Sequence, residues 1–194
     1  MKIFDTAKLN EALHLLDEQL ELRECPAAAL VVCGGSALIA VQLVQRTTQD
    51  VDVVAMMQDG HLVSCIPMPE YLLDAAVRVA EILHLPEDWL NNGPASQYDM
   101  GLPPGFAERL QQVQIGNKLT IYYISRTDQI YFKTFASADR GGYHITDLKA
   151  LQPTEEELLC AARWCMEQDV SEAFRYILKE MLTQSGWSHV SHQI

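Results

Sequence analysis

Leu9, Leu13, Leu16 and Leu20 recur at the three- and four-residue spacing of one helical face, with Glu11, Asp17, Glu18 and Glu21 around the rest of the circumference. The spacing predicts a first helix from a cap at Asp5 or Thr6 to about Leu22. Cys25-Pro26 ends it, because the residue before a proline is held out of the helical region. Residues 28–33 are apolar on both faces and read as an interior strand. Ser36 opens a helix over residues 37–44 that is apolar nearly all round and therefore buried. Residues 51–56 read as a second strand, Asp59-Gly60 as a turn, and 62–66 as a returning hairpin strand that Pro67 and Pro69 terminate. Leu72, Ala75, Ala76, Val79 and Leu83 then mark an amphipathic helix over 70–83.

The stretch from Pro86 to Gly105 is rich in Gly, Pro and Asn. It reads as a loop wrapping the core, anchored by Trp89 and Leu90. Residues 118–124 form the clearest late strand. Helices follow: 128–138 carrying Lys133, an interruption at Arg140-Gly141-Gly142, 144–151 carrying Asp147, and one opened by a capping box of Thr154 and Glu157. Leu158, Ala161, Ala162 and Cys165 turn that helix inward. Asp169 caps a last helix faced by Val170, Phe174, Ile177, Leu178 and Met181, Gly186 ends it, and residues 188–194 read as a loose tail. The pattern is that of an α+β fold: a mixed sheet flanked by helices in a core over residues 1–151, with an α-helical C-terminal extension over 152–194.

Composition narrows the partners. About half of the 194 residues are apolar, enough for a sizeable core. Acidic residues outnumber basic ones by 26 to 14, a net charge of −12, which disfavours the broad electrostatic grip of a duplex-DNA binder. A local basic groove built from Arg126, Lys133, Arg140 and Lys149 would still admit RNA. No run reaches the roughly 18 apolar residues of a membrane span, and the N-terminus has no signal-peptide pattern. The five cysteines lack CxxC spacing and read as structural thiols of a cytoplasmic protein. The six histidines lack zinc-site spacing.

The chemistry concentrates in residues 29–56. Gly34-Gly35-Ser36 at a strand-to-helix junction offers bare backbone N–H groups and a hydroxyl, a setting that favours phosphate, although Ser and Gly also suit an ordinary helix cap. Asp50 and Asp52 alternate with valines, so their carboxylates share one face of a strand. Two carboxylates beside a phosphate cradle meet the needs of a magnesium–nucleotide site. No P-loop lysine follows the glycines.

Gly34-Gly35-Ser36, thirteen intervening residues and Asp50-Val51-Asp52-Val53 resemble the signature of the DNA polymerase beta-like nucleotidyltransferase superfamily. The lead-in Arg46-Thr47-Thr48-Gln49-Asp50 is similar to that of the AbiEii-like toxin nucleotidyltransferases and their bacterial relatives. A second likeness lies downstream in Lys133, Arg140 and Thr146-Asp147-Leu148, and a third in the phrase Leu85-Pro86-Glu87-Asp88-Trp89-Leu90-Asn91. Two departures stand out: His144 takes the place of an aspartate three residues before Asp147, and the strand over 119–124 lacks the third carboxylate that many superfamily members carry.

The resemblance implies a magnesium- or manganese-dependent nucleotidyltransferase that moves a nucleotide from an NTP to an RNA, such as a tRNA, or to a protein acceptor. It also implies a toxin paired with an antitoxin protein. Asp50 and Asp52 would be metal ligands, Gly34, Gly35 and Ser36 would hold the triphosphate, and Lys133 would offset its charge. Asp147 would be a third ligand or the base, and Arg46 would contact a phosphate or pair with an acid at the helix end. The alternative is a catalytically reduced module of the same type that binds a nucleotide or a partner, motivated by His144 and the missing strand carboxylate.

Overall fold

The computed structural model describes residues 5–40, 48 and 50–194. The chain forms two compact units, Met1–Ile124 and Ser125–Ile194. The division at 151 expected above follows motif content, whereas these units follow packing.

The first unit is a mixed sheet with helices. In chain order it contains α1 (Thr6–Leu22), β1 (Ala28–Cys33), α2 (Gly34–Ala40), β2 (Val51–Gln58), β3 (His61–Val63), α3 (Glu70–Leu83), β4 (Leu90–Asn91), α4 (Ser96–Met100), β5 (Gln111–Gln114) and β6 (Leu119–Tyr123). The sheet order is β3-β2-β1-β6-β5, with β4 paired to β2. β1 runs parallel to β6 and antiparallel to β2, and β4 runs parallel to β2.

α1 begins where Asp5 accepts the Lys8 N–H at 2.8 Å, as its sequence requires. Its leucines enter a core shared with Leu72, Ala75, Ala76 and Val79 of α3, Leu30 and Val32 of β1, and Leu119 and Ile121 of β6. Asp17 is buried on α1, and its Oδ1 accepts the backbone N–H groups of Lys118 and Leu119, each at 2.7 Å. This clamps the β5–β6 turn to the helix. Burial in the same dry interior pushes the Tyr123 hydroxyl up to about 12 and the Cys65 thiol up to about 11.

Several expectations need correction. α2 starts at Gly34 rather than at Ser36, because Gly34 takes a left-handed φ of +69° and turns the chain directly into the helix. The part of the expected apolar helix beyond Ala40 lies outside the described residues. The long middle segment is anchored by a fully buried Trp89 and by Leu90, but it also supplies β4 and α4, and β5 follows it. β5 escapes a reading of hydrophobicity because all four of its residues are exposed.

The second unit contains α5 (Arg126–Asp139), α6 (Tyr143–Ala150), α7 (Glu155–Gln168), α8 (Glu172–Gln184) and α9 (Ser188–Ser191). Thr154 and Glu157 form the expected capping box. The last long helix is capped by Ser171, whose Oγ accepts the Phe174 N–H, and not by Asp169, which instead accepts the Ser171 N–H at 2.9 Å. The tail is not loose: α9 packs on α8, and Val190 and Ile194 are buried. Trp164 is ringed by Tyr131, Phe132 and Phe135 at centroid distances of 5.6, 6.0 and 6.3 Å.

Candidate functional site

The end of β2 that carries the aspartates is built by a register shift. Leu30 pairs with Met56 and Val31 with Ala55, but Val32 pairs with Val53, so Val54 is skipped. Met56 packs against the core on one side of the bulge and Val53 lies in it on the other. Regular alternation back from Met56 would send Asp52 to the core face. The extra residue reverses the parity and turns Asp52 to the opposite face, opposite Cys33. Val51 stays in the core, and Asp52 is half-buried.

Asp50 lies two residues before Asp52, the spacing that puts neighbouring side chains of an extended chain on one face. It too is half-buried, and its Oδ1 accepts the Thr48 hydroxyl at 3.2 Å. Gly34 sits across from Asp52 at the end of β1. A Cβ on Gly34 would overlap Asp52 Oδ2 and would lie 3.1 Å from Asp52 Cγ. The missing side chain is therefore the space in which the Asp52 carboxylate rests. Gly35 and Ser36 are buried, and the Ser36 hydroxyl donates to the Cys33 carbonyl at 3.3 Å. These residues bring the Gly-Gly-Ser turn and the Asp52 carboxylate together at one end of the sheet. Arg46 lies outside the described residues.

In the second unit, Lys133 and Asp147 meet. Lys133 Nζ lies 2.7 Å from Asp147 Oδ2, with side-chain exposures of 6% and 3%. Gly141 and Gly142 make this possible: both take positive φ, at 65° and 61°, and fold α6 back beside α5. The Tyr143 ring lies 5.6 Å from Lys133 Nζ and 4.1 Å from the His144 ring. His144 is itself buried. Arg126, one of the four residues of the conceivable basic groove, is committed internally. It donates to the Leu151 and Gln152 carbonyls and to Glu157, whose carboxyl it holds below the usual value. Lys133, a second of the four, is buried against Asp147.

Two residues of the quoted motifs to which the sequence pattern assigns no role stand beside the aspartates: Thr48, which steadies Asp50, and Asn91, which lies opposite Asp52 in the register of β4 and β2. The phrase over 85–91 contains the signal for Asn91, since it delivers β4 to the edge of β2.

The model of a family described as nucleotidyltransferase of unknown function (DUF6036) matches residues 8–176. The chain belongs to this family. The match runs from α1 into α8 and takes in Asp50, Asp52, Lys133 and Asp147. No curated protein and no solved structure matches the chain. As a family of nucleotidyltransferases it has nucleotide transfer as its class of activity, with an NTP as the donor. Among the described residues, no helix is long and apolar enough to cross a membrane.

Proposed function

We propose that the protein is a magnesium-dependent nucleotidyltransferase of the DNA polymerase beta-like, AbiEii-like kind, acting on an RNA or protein acceptor as a toxin held in check by an antitoxin. The observation that carries the reading is the fit between Gly34 and Asp52. A bare glycine at the strand-to-helix turn makes room for a carboxylate that a β-bulge has turned out of the core.

The donor set fits magnesium. Among the described residues no group of three or more His, Cys, Asp or Glu side chains gathers to enclose a metal. Asp50 and Asp52 offer two carboxylates, and magnesium is commonly held by one or two carboxylates with substrate phosphates and water completing its shell. When bound, the ion would neutralise charge on the transferred phosphoryl group and on the pyrophosphate leaving group.

The chain's own residues do the rest by positioning and electrostatics. Thr48 orients Asp50 through its hydroxyl. The backbone at Gly34-Gly35 approaches the phosphates without side chains in the way. Ser36 holds that turn by donating to Cys33.

Incubation with labelled NTPs and total cellular RNA or protein tests the reading. Label transfer with pyrophosphate release, abolished in Asp50→Ala/Asp52→Ala, supports it. Tight NTP binding with no transfer to any acceptor would favour the catalytically reduced binding module instead.

A further inference from the structure

We propose that Asn91 is a phosphate-binding residue of the Asp50–Asp52 site, its carboxamide Nδ2 donating to a phosphate oxygen of the bound NTP. This rests on the reading of that site as the place where the NTP binds.

Strand register places the side chain. β4 runs parallel to β2, with Leu90 opposite Val51 and Asn91 opposite Asp52. Leu90 and Val51 both lie in the apolar core. Asp52 and Asn91 therefore share the other face, on strands about 4.8 Å apart. β4 is only two residues long, yet it is held firmly. The Trp89 carbonyl accepts the Val51 N–H at 2.6 Å, and the fully buried Trp89 indole donates to the Ala76 carbonyl at 2.9 Å.

The amide itself is oriented. Asn91 Oδ1 accepts the Gly93 N–H at 2.8 Å. A backbone N–H only donates, so this bond assigns the oxygen and directs Nδ2 elsewhere. Among the described residues Nδ2 has no hydrogen-bond partner. Gly93 helps to keep the arrangement, because a Cβ there would come within 3.0 Å of Asn91 Oδ1. The next residue shows the contrast: Asn92 spends its Nδ2 on the Cys65 carbonyl at 2.9 Å and is structural.

An N–H₂ donor whose amide is oriented by Gly93, on the same face as the Asp52 carboxylate, suits an anionic oxygen brought there with a cation. Phosphate of a metal-bound NTP is that acceptor, and a donor bonded to it forms a charge-assisted hydrogen bond. The site would then hold two anionic groups for the cation and one neutral donor for the substrate.

Calorimetry with magnesium and non-hydrolysable analogues of the four NTPs tests this on wild type, Asn91→Ala and Asn91→Asp. Asn91→Ala should weaken binding about tenfold to a hundredfold, by the same factor for all four bases. Asn91→Asp keeps the acceptor for Gly93 N–H but replaces the donor with a negative charge. It should weaken NTP binding further while melting close to wild type, so a fold defect in the alanine variant would not obscure the result. Mn²⁺ binding without nucleotide, followed by paramagnetic resonance, should be unchanged in Asn91→Ala. NTP binding at wild-type strength in both variants overturns the proposal, as does a loss confined to one base or a parallel loss of Mn²⁺. If wild type binds NTP and Asp50→Ala/Asp52→Ala does not, those results overturn the Asn91 assignment alone. If wild type binds no magnesium–NTP, the site reading falls and this assignment with it.

Discussion

The Asp52 carboxylate occupies the volume that a side chain on Gly34 would fill, with Asp52 Cγ 3.1 Å and Cβ 3.4 Å from the position of the missing Cβ. Gly34 also has φ +69°. Gly34→Ala should therefore cost stability twice, through left-handed strain of about 1–3 kcal/mol and through displacement of Asp52. In an Asp52→Ala background the second cost disappears. Denaturant unfolding of both single variants and the double variant checks this, and the expected coupling is favourable. Additive losses would show that the two residues do not compete for space.

The Lys133–Asp147 pair is buried, so breaking it on one side strands a charge. Lys133→Met should destabilise the protein by about 3–5 kcal/mol. Lys133→Met combined with Asp147→Leu should recover much of that loss, because neither charge then remains buried. Urea midpoints measured across the cycle decide it, and a single variant as stable as wild type would contradict the buried pair.

The Arg126–Glu157 contact sets an acid limb. Hydrogen bonding from Arg126 holds the Glu157 carboxyl below its ordinary 4.5. A carboxyl whose folded value is depressed stabilises the fold above the unfolded value, and that contribution is lost as pH falls through the folded value. Melting temperature followed from pH 6 downward should thus begin to fall near the ordinary glutamate value. Glu157→Gln should be less stable at pH 6 and should lose less than wild type on acidification.

Asp17 receives two backbone N–H groups from the β5–β6 turn. Asp17→Ala should cost about 3 kcal/mol, the scale of hydrogen bonds to a charged group, and Asp17→Asn should recover part of it by keeping an acceptor oxygen. Chemical denaturation gives the numbers, and hydrogen exchange at Lys118 and Leu119 should rise in the alanine variant.

Much of this was legible because hydrophobic period and capping chemistry act locally. α1, α3, the hairpin from β2 to β3 and the capping box at Thr154 all follow from spacings within one element. The bulge at Val54 was not legible, since Val-Val-Ala-Met is apolar in either register and only the pairing with β1 skips a residue. β5 was hidden for a related reason: its Gln-Gln-Val-Gln is exposed and becomes a strand by pairing with β6. The site motif could be read as residues, but Asn91 could not be set beside Asp52 from the chain alone, because two residues 39 apart meet through a two-residue strand. The meeting of Lys133 with Asp147 likewise depends on two positive-φ glycines whose geometry the sequence leaves open.

The central claim is that Asp50 and Asp52 hold a magnesium–NTP beside Gly34. Calorimetric titration of a non-hydrolysable NTP into wild type and into Asp50→Ala/Asp52→Ala, with and without magnesium, tests it most directly. Wild type should bind in a magnesium-dependent manner and the double variant should not bind, with both proteins folded by circular dichroism. Equal affinity in the two proteins, or wild-type binding that ignores magnesium, would contradict it.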